Sequence, residues 1–149
     1  MATTRLPQDF KDFLRLLRAH HVEYLLIGGY AVSYHGYARA TADMDIWVAR
    51  THENAARLAA VLQEFGFESV DTAREALVRE NQIVRMGVPP MRIELATTIS
   101  GVTFEDCYRE RVTGDIDGVT VDIIDLARLK QNKRASGRFK DLADLEQLP

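Results

Sequence analysis

Two acids interrupt an apolar stretch that runs from Asp43 to Val48. Residues two apart in a β-strand point to the same face of the sheet, so Asp43 and Asp45 project side by side. The residues between and after them face the opposite way, into a core: Met44, Ile46 and Val48. This alternation predicts a strand in a sheet that has one packed face and one polar face.

Two carboxylates held side by side repel each other and are costly to keep partly buried. A divalent cation would relieve that repulsion, and hard oxygen ligands on a rigid strand suit Mg²⁺ (or Mn²⁺), which keeps waters and substrate phosphates in its shell. Asp43 and Asp45 are therefore candidate metal ligands. The alternative interpretation is a solvated strand end that carries two surface acids.

A pair of glycines follows a short apolar segment in Leu25-Leu26-Ile27-Gly28-Gly29. Glycine allows the chain to turn sharply and to approach a ligand closely, and free N–H groups at the start of a helix favour an anion. We interpret Gly28 and Gly29 as a candidate phosphate-binding turn. An ordinary strand-to-helix turn is the alternative, because neither dinucleotide-binding nor Walker-type glycine patterns are present.

A third acid, Glu94, lies between Ile93 and Leu95 in a later apolar segment. If that strand lies beside the strand of the acidic pair, three carboxylates converge, and three acids can hold the two metals used for in-line phosphoryl or nucleotidyl displacement. A lone glutamate on the polar face of an edge strand, paired with Arg92, is the alternative.

Composition describes an ordinary globular chain of 149 residues, for which we expect one domain over 1–149. The polar start, the single cysteine (Cys107) and the lack of any long apolar run predict a cytoplasmic protein without a membrane segment. The net charge is −3, yet residues 126–140 carry six cations and no acid. Such a local cationic segment on an acidic body indicates a site for a small anion rather than a duplex-wide surface.

Helical and extended patterns alternate early in the chain, and a hairpin and two helices follow at its end. This order predicts an α/β (α+β) fold with a mixed β-sheet, flanking helices and a C-terminal helical pair over about 125–149. We predict helices that begin at Pro7 and Thr51 and that cover 31–37, 72–79, 125–135 and 138–148, and strands over 22–27, 43–49, 67–70, 82–86, 91–96, 111–116 and 119–124.

The order and spacing of these features resemble the nucleotidyltransferase superfamily that includes DNA polymerase beta. The signature of that superfamily has three parts: an apolar residue followed by two small residues, an Asp-x-Asp pair, and a later acid in an apolar strand. The glycine pair, the acidic pair and Glu94 match these parts in order. Arg39 and Thr41, which precede the acids, and the tail from Leu129 to Leu145 are similar to small stand-alone members related to AbiEii-type proteins of abortive-infection and toxin–antitoxin systems. The sequence departs from the pattern at Tyr30, where many members carry Ser, and at Glu94, where Asp is commoner.

The resemblance implies a nucleotidyltransferase fold that binds a nucleoside triphosphate with Mg²⁺. It implies that Asp43, Asp45 and Glu94 are catalytic and ligate metal. The residues implied to contact the nucleotide are Gly28, Gly29, Arg39, Thr41, Lys130, Lys133 and Arg138. For Arg39 the alternative interpretation is an ordinary salt bridge, and for the basic residues of the tail it is a solvated face. Asp141 is expected to orient a basic side chain.

The resemblance also implies the reaction, which is transfer of a nucleoside monophosphate to an acceptor hydroxyl. The expected acceptors are an RNA 3′ end or a protein side chain, with a small antibiotic as a further option and a cognate partner protein expected in a toxin–antitoxin or phage-defence system. The alternatives are a catalytically weak binding module or antitoxin on the same fold, and an α/β domain with accidental acids.

Overall fold

The computed structural model describes residues 4–88 and 91–149. Within them, helices and strands alternate as the sequence predicts. The elements in chain order are α1 (Gln8–Ala19), β1 (Tyr24–Ile27), α2 (Gly28–Tyr34), β2 (Met44–Val48), α3 (His52–Phe65), α4 (Val70–Ala76), β3 (Ile83–Met86), β4 (Ile93–Ala96), α5 (Phe104–Arg109), β5 (Val112–Ile116), β6 (Val119–Ile123), α6 (Leu126–Ser136) and α7 (Phe139–Gln147).

The six strands form one mixed sheet in the order β3-β4-β2-β1-β6-β5. β2 runs antiparallel to β1, with Ile27 opposite Asp45, and parallel to β4, with Asp45 opposite Glu94. Ile27, Asp45 and Glu94 therefore lie in one row across three adjacent strands. The predicted α/β class with a mixed sheet, flanking helices and a C-terminal helical pair is confirmed.

The core lies between the sheet and the long helices. The apolar stripe of α1, which is fully buried, recurs at helical spacing and packs with α3 against the sheet: Phe10, Phe13, Leu14 and Leu17. From β2, Met44, Ile46 and Val48 are fully buried, so the alternation read from the sequence gives the predicted packed face.

Local stop and start signals place α3 and the late hairpin. The Thr51 side chain accepts a hydrogen bond from Asn54 N at 3.0 Å, and Gly66 ends α3 in the left-handed conformation, as predicted. Asp117 and Gly118 both have positive φ and turn β5 into β6, which is the geometry that such a two-residue hairpin requires.

The structure corrects several predicted elements. The predicted strand over 67–70 is wrong, because Val70 begins α4, where Val70 and Ala73, with Leu77 at the C-cap, recur at helical spacing. The helix predicted over 31–37 begins at Gly28 instead, and α5 was not predicted. Asp125 lies at the N-terminus of α6 but makes no capping hydrogen bond. The connection between the strands predicted over 82–86 and 91–96 includes residues 89 and 90, which lie outside the described residues.

No helix in the described ranges combines the length and the apolar character needed to cross a membrane.

Candidate active site

The three acids that the sequence singled out lie at one end of the sheet. Asp45 on β2 is in register with Glu94 on β4, and Asp43 directly precedes β2, where Met44 N donates to Arg92 O at 2.9 Å. We call Asp43, Asp45 and Glu94 the acid trio. The parallel pairing of β2 with β4 brings together carboxylates that are about 50 positions apart along the chain.

Asp45 is the most strongly perturbed member of the acid trio. Burial, together with the negative charges of Glu94 and Asp43, raises its pKa from 3.8 to about 6, while the positive charges of Lys140 and Lys133 oppose that rise. A partly buried carboxylate that is destabilised by two neighbours of the same sign favours a cation beside it. The trio is thus a set of hard oxygen ligands in an environment where a divalent metal would be stabilised.

Arginine side chains contact two members of the acid trio. Arg92 Nη2 donates to Asp43 Oδ2 at 3.0 Å, and Arg92 Nε lies 3.1 Å from Glu94 Oε1. The second contact is an ion pair and not a hydrogen bond. Arg92 Nε is buried and has no hydrogen-bond partner in the described part of the chain. Arg85 Nε, from the edge strand β3, donates to the same Glu94 oxygen at 3.3 Å. Across residues 4–88 and 91–149, no three His, Cys, Asp or Glu side chains are already arranged to hold a metal.

The two glycines allow α2 to begin directly beside the acid trio. Gly28 has a φ of +68°, and a Cβ at this position would lie 2.3 Å from Asp45 Oδ2. A Cβ at Gly29 would lie 2.5 Å from Thr41 Oγ1, whose hydroxyl donates to Asp43 O at 3.2 Å. Only glycine fits at these two positions, and the backbone of the turn therefore approaches the carboxylates with no side chain between them.

The C-terminal helices are joined to the segment before the acidic pair by an ion network whose two carboxylates are buried. The buried amino group of Lys133, on α6, lies 3.1 Å from both Asp141 Oδ1 and Asp144 Oδ2, on α7. Arg39, which leads into the acidic pair, donates Nε and Nη2 to the two oxygens of Asp144 at 2.8 and 2.9 Å. Arg138 Nε donates to Asp141 Oδ2 at 2.7 Å. We call these five residues the tail network.

The tail network holds Asp141 in the charged form. Burial alone would raise the pKa of Asp141, but hydrogen bonds from Arg138, Ser136 and Lys133 hold it well below its usual range. Arg39 and Lys133 are therefore engaged by protein carboxylates within the fold. The prediction that Asp141 orients basic side chains agrees with these contacts.

Comparisons with known proteins agree with this geometry. The family model for aminoglycoside-2''-adenylyltransferase matches residues 9–148. The chain belongs to the aminoglycoside-2''-adenylyltransferase family. A crystal structure of a candidate nucleotidyltransferase from Thermotoga maritima superposes with a TM-score of 0.64, covering 92% of this chain and 88% of the other at 14% identity, and so shows a shared fold. A comparison with curated protein sequences gives no match. These findings confirm the predicted nucleotidyltransferase; they do not confirm the AbiEii type.

The remaining predicted nucleotide contacts, Lys130 and Arg138, lie on the tail of this nucleotidyltransferase, as does Lys140, which was not predicted as a contact. Arg138 and Lys140 are exposed at the start of α7, and Lys140 is the cation that most lowers the pKa of Asp45. Lys130 on α6 donates to the carbonyl oxygen of Pro149. These cations therefore differ: the charge of the exposed Lys140 acts on Asp45, whereas the half-buried Lys130 contacts the C-terminus.

Sequence reasoning missed Asp144, which links the tail to the segment before the acidic pair. The signal that could have found it is the spacing of Asp141 and Asp144, because residues three apart share one face of a helix and α7 buries both. A cavity of about 380 Å³ also lies beside the glycine turn of the nucleotidyltransferase, lined by Arg5, Tyr30, Ser33, Arg39 and Thr41 among others.

Proposed function

We propose that this protein transfers a nucleoside monophosphate from a magnesium-bound nucleoside triphosphate to an acceptor hydroxyl. The observation that carries the proposal is the convergence of the acid trio with the glycine turn at one end of the sheet. Family membership supports nucleotidyl transfer in general, and the chemistry of the trio supports the metal.

The residues of the site divide the reaction between them. Asp43, Asp45 and Glu94 would hold the divalent metal (Mg²⁺ or Mn²⁺), which would supply charge stabilisation for the displacement at phosphorus. The backbone N–H groups of Gly28 and Gly29 would bind the triphosphate, because the glycine turn lies so close to Asp45 that a Cβ at Gly28 would collide with its carboxylate. Glu94, at the end of the row, would accept the proton of the acceptor hydroxyl.

The covalent step balances without a further reagent. The acceptor oxygen forms a bond to the α-phosphorus, and the bond between that phosphorus and the bridging oxygen of the β-phosphate breaks. Pyrophosphate leaves with the bonding electron pair, and the hydroxyl proton goes to Glu94. The cations of the tail, of which Lys140 lowers the pKa of Asp45 most, would balance the charge that builds on the leaving group.

The acceptor of the nucleotidyl group is proposed separately. The family description favours an aminoglycoside hydroxyl as the acceptor and an adenylyl group as the group transferred. The resemblance read from the sequence adds RNA 3′ ends and protein side chains, and with them a cognate partner in a toxin–antitoxin or phage-defence system. Growth arrest on expression, relieved by a co-expressed neighbouring protein, would support the latter role. Its absence together with aminoglycoside modification would argue against it.

The direct test is incubation with each α-labelled nucleoside triphosphate and Mg²⁺, in separate reactions with aminoglycosides, total RNA and total protein. We expect label to move to one acceptor class, with release of pyrophosphate. Asp45→Asn should abolish the transfer, and Asp106→Asn, at an exposed acid of α5, should not. Tight nucleotide binding without pyrophosphate release would instead support the alternative, a binding module on this fold.

A further inference from the structure

Arg92 occupies the place between two carboxylates of the acid trio where a metal would have to bind. Its Nη2 hydrogen-bonds Asp43 Oδ2 at 3.0 Å and its Nε lies 3.1 Å from Glu94 Oε1, so one guanidinium spans two acids on neighbouring strands. A planar guanidinium usually pairs with both oxygens of a single carboxylate. Here it is shared instead, in the manner of a cation that bridges two ligands.

The sequence forces this position on the Arg92 side chain. Arg92 and Glu94 are two residues apart next to and within β4, so their side chains leave the chain on the same side. The carbonyl of Arg92 accepts a hydrogen bond from Met44 N at 2.9 Å, which fixes its backbone beside Asp43. The side chain is 28% exposed and can therefore move away without breaking the core.

We propose that Arg92 is the resident counter-ion of the acid trio and competes with divalent metal ions for the carboxylates of Asp43 and Glu94. Without a metal, it offsets the repulsion among three acids. A metal needs the same carboxylate oxygens, and the positively charged guanidinium repels it, so metal binding requires Arg92 to leave. The inference rests on the proposed function for the identity of the competing cation.

This competition has a functional consequence. Metal alone should bind weakly, since it must first displace Arg92. A triphosphate that arrives with the metal gives the released guanidinium phosphate oxygens to bind, so nucleotide and metal should favour each other's binding. Arg92 is thus a positioning residue for the proposed reaction.

Arg85 provides the matched control. It carries the same charge, and its Nε also reaches Glu94 Oε1, at 3.3 Å, but its side chain is 54% exposed on the edge strand β3. Among the described residues, its acidic partner is Glu94 alone. A change at Arg85 therefore removes an equal charge from the neighbourhood but leaves the bridge between Asp43 and Glu94 intact.

The test measures Mn²⁺ binding to the nucleotide-free protein by electron paramagnetic resonance of the free ion. We expect Arg92→Ala to lower the Mn²⁺ dissociation constant about tenfold, a change of about 1.4 kcal/mol. Arg85→Ala should change it less than about threefold. Asp43→Asn in the Arg92→Ala background should remove the gain, which would show that the ion binds at the acids.

An unchanged or higher dissociation constant in Arg92→Ala would overturn the inference, and so would an equal gain in Arg85→Ala, which would indicate a general charge effect. Arg92→Gln keeps the chain length and a donor; it carries the same expectations if the alanine variant does not fold. Labelled-nucleotide transfer by the wild-type protein separates this inference from the proposed function. If the wild-type protein transfers label but the Mn²⁺ affinity is unchanged in both Arg92 variants, only the inference about Arg92 is contradicted. If the wild-type protein is inactive but Arg92→Ala shows the tenfold gain in Mn²⁺ affinity, only the proposed function is contradicted.

Discussion

We expect the charged carboxylate of Asp45 to lower the free energy of unfolding of the protein. Its pKa is raised from 3.8 to about 6 by burial and by two neighbouring acids. A carboxyl that holds its proton more tightly in the folded state stabilises the fold fully below its unfolded pKa and loses that contribution as the pH rises through its folded pKa. The difference corresponds to about 3 kcal/mol above pH 7, of which we expect about 2 kcal/mol after solvent screening.

Asp45→Asn removes the charge and keeps the shape of the side chain. We therefore expect this variant to be more stable than the wild type by about 2 kcal/mol at pH 7.5 and by less than about 1 kcal/mol at pH 4.5, where the native carboxyl is largely protonated. Urea denaturation at both pH values, without added metal, measures the difference. Transfer activity should be lost in the same variant.

The same substitution at Asp141 provides a control of opposite sign. Asp141 is buried and paired, and its pKa is lowered by three donors, so its stabilising contribution is present above its ordinary pKa and is lost as the pH falls through the folded value. Asp141→Asn should reduce stability at pH 7.5 by about 2 to 4 kcal/mol. A less stable Asp45→Asn variant, or a gain that does not shrink between pH 7.5 and 4.5, would refute the interpretation of the acid trio as strained by its own charge.

Further substitutions test the contacts around the site. Gly28→Ala should lower the free energy of unfolding by about 2 kcal/mol or more in urea titrations and abolish transfer, because its Cβ would collide with the Asp45 carboxylate. Asp144→Ala should lower the same free energy by about 3 to 5 kcal/mol, since it leaves the buried Lys133 and the partly buried Arg39 without their shared partner. Lys140→Ala should raise the dissociation constant of a nucleoside triphosphate about three- to tenfold in calorimetry at unchanged stability, and Arg134→Ala, at another exposed cation, should not. Equal effects of these two variants would show that only overall charge matters.

Local patterns were sufficient for most of the elements, although not for α5 or for the segment 67–70. The alternation around Asp45 predicts its strand and the packed face opposite it, but not the burial of Trp47 on the same face as Asp45, and Thr51 and Gly66 bound α3 by local hydrogen bonding and backbone conformation. The pairing of β2 with β4 could only be expected conditionally, because a register between distant strands is set by packing across the whole sheet. The wrong strand over 67–70 shows the limit, since a short apolar segment fits either a strand or the first turn of a helix.

The tail shows why the role of a charged segment cannot be inferred from its sequence alone. From the sequence, six cations without an acid suggest a face open to phosphate, yet Lys133 is buried and its partners, Asp141 and Asp144, come just after the run. Three cations and two carboxylates make up the tail network. The charges of Lys133, within the network, and of Lys140, outside it, both lower the pKa of Asp45. The folded chain thus pairs Lys133 and Arg138 with carboxylates of α7 and leaves Lys140 exposed, and we therefore propose Lys140 as the cation that a triphosphate beside the acids would meet.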